Sequence, residues 1–263
     1  KDVILRLPTW KEDEFYPITL VTPTFNRETF SDLCARNFYG INYPQEYIEW
    51  IILDDSDDYD KRKVISMKNQ LPDDPRIRYV RVDYKMTIGE KRNFLVALAT
   101  HDVIVHMDDD DYYPEDSVLA RLKILKKYDV ECVGCHTVSC YDLLNDTTFT
   151  ASDLAKDGKS YTLSESTLAY KKSFWEKQKF CDRDKSAEGI AFLRGREQEV
   201  MTLPTQFVVT QLTHTKNTIR RSIHASNSSP VGFLQRIDPK TKLFIFDLKR
   251  KLREANKDET KVY

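Results

Sequence analysis

Residues 103–114, Val103-Ile-Val-His-Met-Asp-Asp-Asp-Asp-Tyr-Tyr-Pro114, decide how this chain is read. The apolar run 103–107 reads as a buried strand. It stops on four consecutive aspartates, Asp108, Asp109, Asp110 and Asp111. Pro114 then opens a helical pattern through Lys127, proline being tolerated in a first helical turn. From 101 to 116 there are seven acidic residues and no Lys or Arg. Burying several uncompensated carboxylates is costly, so water or a cation must balance them. Taken alone, the run also fits a solvated acidic turn before a capped helix. Carboxylate oxygens suit Mg²⁺ or Mn²⁺, which keep open positions for substrate phosphates. If the strand persists, Asp108 and Asp110 face one way and Asp109 the other.

Working outward, strands alternate with helices. Residues 18–22 form an apolar run closed by Pro23, 49–53 a second buried strand ending at Asp54, and 76–82 a half-buried alternating strand. Helical patterns occupy 28–38, 60–70 and 87–100, the last with Phe94, Leu95, Leu98 and Ala99 on one face. Such alternation predicts an α/β fold with a doubly wound, mostly parallel sheet. Ligands of these sheets sit outside the carboxyl ends of the strands. Here those ends carry 23–27, Asp54-Asp55-Ser56 and 108–111. The second half is less regular. It reads as strands at 132–140, 147–150, 163–171 and 207–213, helices at 173–180 and 186–193, and a basic helix at 243–255. This half is expected to extend the sheet and cover its edge.

The chain has 263 residues and a mass of 30.9 kDa, enough for one large domain or two closely packed subdomains. Its net charge of -1 lacks the basic footprint of a nucleic-acid binder. No apolar run approaches the ~18 residues of a membrane span, and residues 1–10 show no signal-peptide core. A cytoplasmic location follows as the expectation. The seven glycines form no dinucleotide fingerprint and no phosphate-binding P-loop. Zinc-protease and hydrolase motifs are also missing. Cys132, Cys135 and Cys140 with His136 have some look of a zinc set, but 130–141 reads as one strand, where residues three apart face opposite sides. The five cysteines are therefore read as reduced, buried or half-buried thiols.

Four motifs stand in order: Pro23-Thr-Phe-Asn-Arg27, Leu53-Asp-Asp-Ser56, Gly89-Glu-Lys-Arg-Asn93 and Met107 through Pro114. The set resembles glycosyltransferase family 2 and its relatives with the GT-A fold, over about residues 17–128 and more weakly to about 220. It looks closest to the small viral-type members, which would place the chain in a host cytoplasm. The resemblance implies a nucleotide-sugar-binding half at 1–128 and an acceptor-side half at 129–263, in one continuous domain with a smaller acceptor-side subdomain.

The resemblance also implies roles. Pro23, Thr24 and Phe25 would cradle base and ribose, with Arg27 and Asp109 also in the nucleotide-sugar site. Phe25 stands where many members carry Tyr, so stacking remains while a hydroxyl contact is lost. Asp55 would accept the base N–H. Lys91 and Arg92 would meet base or diphosphate, Arg as a planar two-pronged donor and Lys as a point charge. Asp108 would face ribose and metal, Asp110 would bind the metal, and His214 would add a ligand, neutral imidazole suiting Mn²⁺. Lys216 and Asn217 beside it would reach phosphate. The other histidines, His101, His106, His136 and His224, are read as structural. The acceptor hydroxyl needs a base. The family often keeps it in a Glu-Asp pair opening a helix of the second half. Glu188 is the nominee, Gly189 replaces the second acid, and Asp182, Asp184 and Glu197 are rivals. The implied activity is inverting, Mn²⁺- or Mg²⁺-dependent hexosyl transfer from a UDP-sugar to a glycan or other hydroxyl acceptor. A nucleotidyltransferase acting on sugar phosphates and a silent sugar-nucleotide-binding module are the rival readings.

Overall fold

Strand β1 (Ile18–Thr24) is buried along its whole length and organises the sheet around it. In the computed structural model, which describes residues 14–56, 67–152, 162–183, 188–215, 217, 228–229 and 232–259, β1 pairs in parallel with β2 (Ile48–Asp54), and β2 with β3 (Ile77–Arg81). On its other side β1 pairs in parallel with β4 (Val103–His106). Winding therefore reverses between β1 and β4. The crevice outside their carboxyl ends is the ligand position of such sheets.

The chain then adds β5 (Cys132–Gly134), β6 (Thr137–Asp142), β7 (Thr147–Ser152), β8 (Ala169–Lys171), β9 (Val200–Thr202), β10 (Thr210–Thr213) and β11 (Ser228–Ser229). The large sheet has the order β3-β2-β1-β4-β8-β5-β9, with β8 antiparallel to both neighbours. A smaller sheet has the order β10-β6-β7-β11. The expected mostly parallel α/β architecture is what the chain adopts. Because β1 is covered on both faces, the buried hydroxyls of Thr19, Thr22 and Thr24 must be satisfied within the protein. Thr22 donates to the Met107 carbonyl at 2.5 Å and accepts from the Trp50 indole N–H at 2.8 Å.

Helices α1 (Ser31–Tyr39), α2 (Ile88–Leu98) and α3 (Ser117–Tyr128) belong to the first half, and α4 (Lys172–Lys177), α5 (Gly189–Leu193), α6 (Phe233–Arg236) and α7 (Pro239–Glu259) to the second. Helix α2 begins with a reciprocal cap: the Thr87 hydroxyl accepts the Glu90 N–H at 3.1 Å, and the Glu90 carboxylate accepts the Thr87 N–H at 2.7 Å. Gly89 in its first turn lets the 181–182 backbone approach, because a Cβ there would lie 1.9 Å from the Cys181 carbonyl oxygen. The basic tail helix starts earlier than expected, since Asp238 accepts the Lys240 and Thr241 N–H groups at 2.8 and 3.1 Å. Its buried Ile245, Leu248 and Leu252 join Phe30, Leu33, Tyr141 and Leu212 in one apolar cluster.

Four local readings change. Residues 130–141 are not one strand: β5 and β6 lie in different sheets, and the Cys135 N–H between them donates to the Thr167 hydroxyl at 2.8 Å instead of a ladder partner. The expected strand at 163–171 is cut to β8 by a 3-10 turn, Glu165–Thr167, whose Ser164 carbonyl takes the Thr167 N–H at 2.9 Å. A similar turn, Thr205–Phe207, shortens the strand at 207–213 to β10. Helix α3 starts at Ser117, after a turn in which the Pro114 carbonyl accepts the Ser117 N–H at 2.9 Å. Residues 60–66 of the expected helix at 60–70, like Asp184, Lys216 and His224, lie outside the described residues.

Candidate active site

Strand β4 ends at His106, and 109–110 form a turn. The alternation expected over 108–110 therefore fails, and each aspartate meets a different element. The Asp108 N–H donates to the Tyr113 hydroxyl at 2.8 Å. Its carboxylate accepts both prongs of Arg92, at 3.1 and 3.3 Å. Asp109 turns toward β1 and accepts the Thr24 hydroxyl at 2.5 Å. Asp110 meets His214 Nε2 at 3.1 Å, Asn217 Nδ2 at 3.4 Å and the Arg27 guanidinium at 3.4 Å. Asp111 is structural: its carboxylate accepts the Leu212 N–H at 3.1 Å and its carbonyl the Asn37 amide at 2.8 Å.

The charge of this run calls for water or a cation. Arg27 and Arg92, remote in sequence, bring positive charge to it instead. Protonation separates the two middle acids. Burial, helped by the Asp110 charge, pushes Asp109 up to about 8 against the pull of Arg27 and Thr24. Burial also raises Asp110, but the His214 hydrogen bond and Arg27 outweigh it, and its carboxyl lies below the ordinary value.

At the β1–β2 edge, β1 runs two residues past its expected end. Pro23 and Thr24 are thus buried strand residues opposite Leu53 and Asp54. Phe25 is the first of the three to leave the strand, and it is half-buried. Asp55 is enclosed. It accepts the Met86 N–H at 2.8 Å and pairs with the ammonium groups of Lys91 and Lys85. Lys91 is itself buried and donates to the Thr24 carbonyl at 2.9 Å. Burial lowers its pKa despite the Asp55 charge.

Adjacent in sequence, Lys91 and Arg92 serve opposite sides of the crevice, since neighbouring helical residues project about 100° apart. Arg92 Nε donates to Glu188 Oε1 at 2.6 Å while its prongs hold Asp108. One buried guanidinium thus joins the β4 end to the start of α5. Burial disfavours its charge, but Asp108 and Glu188 outweigh that and raise its pKa well above the ordinary value. His106 touches the same guanidinium at 3.0 Å and the Tyr170 hydroxyl at 2.9 Å. Burial and then the Arg92 charge keep its imidazole neutral far below its usual pKa.

Glu165 was not visible as a site residue. Its Oε1 accepts the Gly189 N–H at 2.9 Å, and a Cβ on residue 189 would lie 2.7 Å from that oxygen. A side chain at 189 would require the Glu165 carboxylate to move, and Glu165 brings its own carboxylate to the same helix start from 24 residues upstream. No local sequence pattern links the two. Of the rivals to Glu188, Asp182 accepts the Asn93 amide at 2.6 Å, and Glu197 accepts the Gly195 N–H at 3.2 Å. Both are exposed.

Among the described residues no three His, Cys, Asp or Glu side chains converge as a ready ligand set. Asp110 and His214 do meet, and an oxygen with a nitrogen donor suits Mn²⁺ better than Mg²⁺, which prefers oxygen ligands alone. Asp108 faces Arg92 instead. Asn217 supports the pair by accepting the His214 N–H at 2.5 Å.

The sequence matches the family described as Glycosyl transferase family 2 over residues 19–199. A search of curated proteins finds no match. Among solved structures, S. aureus TarS 1-349 superposes with a TM-score of 0.53 at 18% identity, covering 74% of this chain and 60% of that one. TarS 1-349 in complex with UDP-GlcNAc gives 0.53 at 16% identity, over 89% and 65%. Mannosyltransferase PcManGT from Pyrobaculum calidifontis, in complex with GDP-Man and Mn2+, gives 0.55 at 19% identity, over 77% and 59%. These likenesses are of fold. The chain spans about three-fifths of TarS 1-349 and of PcManGT.

Proposed function

The chain belongs to glycosyl transferase family 2, and from that premise we propose that it is an inverting, metal-dependent hexosyltransferase moving a sugar from a UDP-sugar to a glycan hydroxyl. The observation that carries this reading is the Arg92 bridge. It joins a carboxylate from the β4 end, Asp108, and one from the start of α5, Glu188, through one buried guanidinium. The relatives support the donor class, since one is in complex with UDP-GlcNAc and another with GDP-Man and Mn2+.

In this mechanism the face of Phe25 stacks on the base and Asp55 accepts a base N–H. Arg27, at 12% side-chain exposure beside Asp110, turns its planar donors to the diphosphate. Asp110 and His214 would hold Mn²⁺ or Mg²⁺, which when bound would supply Lewis-acid stabilisation of the departing diphosphate. Glu188 takes the acceptor proton. Arg92 holds its Oε1, and Oε2 is the oxygen assigned to that proton. Neutral His106 and Tyr170 pack the bridge from below.

Residues 1–128 thus form the donor half and 129–263 the acceptor half. Kinship with the small viral-type members and a cytoplasmic setting belong to the same proposal. No helix among the described residues is long and apolar enough to cross a membrane. The test is incubation with UDP- and GDP-sugars, an oligosaccharide acceptor and Mn²⁺, followed by detection of free nucleoside diphosphate and extended acceptor. Absence of both products from every donor would overturn the proposal, and release of pyrophosphate would point to nucleotidyl transfer.

A further inference from the structure

Lys85 contacts both groups that the proposed base pocket offers to a nucleobase. Its ammonium nitrogen lies 2.9 Å from the centroid of the Phe25 ring, on the face where a base would stack. The same nitrogen is 3.3 Å from Asp55 Oδ2 and 3.5 Å from Oδ1. A carboxylate has about four lone-pair directions. Here the Met86 N–H and Lys91 take two of them, and Lys85 bridges the two oxygens at 3.3 and 3.5 Å. While Lys85 is in place, its ammonium competes with a base N–H for Asp55 and covers the Phe25 face on that side.

The two lysines on Asp55 differ in kind. The Lys91 side chain is 6% exposed and is also held by the Thr24 carbonyl. The Lys85 side chain is 53% exposed, on a stem that reorients in nanoseconds in such settings. Lys91 is a fixed counter-charge, and Lys85 is the one that can leave.

We propose that Lys85 is an intrachain occupant of the nucleobase pocket, resting on the Phe25 face and the Asp55 carboxylate until a base displaces it. This rests on the reading of Phe25 and Asp55 as the base site. Lys85 then sets base affinity by competition. A base must exceed what an exposed ion pair and a cation–π contact provide, so weakly stacking or poorly donating ligands are excluded.

Calorimetric titration with uridine and guanosine tests this, since these neutral nucleosides probe the pocket without the phosphates that a lysine also attracts. Lys85→Met should bind its preferred nucleoside about three- to thirtyfold tighter than wild type, the range of one exposed ion pair plus one cation–π contact. Lys85→Gln, which keeps a polar head without the charge, should also bind more tightly, and Lys85→Arg should not. Asp55→Asn should weaken binding. If Asp55→Asn weakens binding while Lys85→Met and Lys85→Gln leave it unchanged or weaker, Lys85 is no occupant although the pocket is placed correctly. If Asp55→Asn leaves nucleoside affinity untouched, or no protein binds either nucleoside, the base-site reading itself fails and the occupant falls with it.

Discussion

Replacing Arg92 by Met should show how much of the site depends on one guanidinium. Arg92 makes a 2.6 Å contact to Glu188 and a two-pronged contact to Asp108 at 3.1 and 3.3 Å. Glu188 has a side-chain exposure of 4% and Asp108 of 23%. Without Arg92, Asp108 can turn to water, but Glu188 is left charged and enclosed. Breaking a buried pair by removing one partner costs about 3–5 kcal/mol, and Glu188 should account for most of it. For a chain of this size that lowers the melting temperature by roughly 6–20 °C, at about 2–4 °C per kcal/mol. Glu188→Leu leaves Arg92 its Asp108 fork, and should cost about 1.5–3 kcal/mol for one charge-assisted hydrogen bond. The double variant Arg92→Met/Glu188→Leu leaves no charge without a partner in the pair, and should be less destabilised than the sum of the singles by at least about 2 kcal/mol. Reversible urea unfolding of the four proteins, followed by tryptophan fluorescence, measures the cycle. Additivity within about 0.5 kcal/mol would refute the bridge.

Asp110→Ala should abolish Mn²⁺ binding in the presence of UDP, and EDTA should stop wild-type turnover; a titration showing unchanged Mn²⁺ affinity would remove Asp110 from the metal site. Glu188→Gln should bind UDP with Mn²⁺ as wild type does yet lose a factor of about 10²–10⁴ in sugar transfer. If it instead keeps more than a tenth of turnover while Glu165→Gln shows the loss, the base is Glu165, the carboxylate that occupies the space beside Gly189. For pH, burial raises the Glu49 carboxyl, but hydrogen bonds from the Thr100 N–H and from the Thr19 and Thr100 hydroxyls outweigh it and hold it below its ordinary 4.5. A depressed folded-state value contributes stability that is fully present above pH 4.5 and lost below it, as pH falls through the lower folded-state value. The stability gap between wild type and Glu49→Gln should therefore be widest near neutrality and close in acid. A gap that is constant with pH in thermal melts would contradict this.

The first half of the fold was legible because it follows simple periodicities. Residues 18–22, 49–53 and 103–107 are short apolar runs closed by polar residues, and helical patterns separate them. β1, β2, β4 and α2 lie close to where those patterns put them. The second half was harder because its strands are two to six residues long and end for tertiary reasons. The Thr167 hydroxyl that takes the Cys135 N–H comes from 32 residues away, so the split of 130–141 has no local sign. The same holds for the site. Asp108, Asp109 and Asp110 are visible as a charge run, but their directions are set by a turn and by partners from β1, α2 and the segment after β10.

By itself the sequence determined the α/β order of the first half, the sheet edge where polar residues gather, and the family, because periodicity and motif order are properties of neighbouring residues. Only the tertiary structure decided which charges meet. It put Arg92 between Asp108 and Glu188, Lys85 across Phe25 and Asp55, and Glu165 in the space beside Gly189. The physical reason is that a buried charge must find its partner in space. The partners here lie 16 to 96 residues away along the chain, beyond the reach of any local pattern.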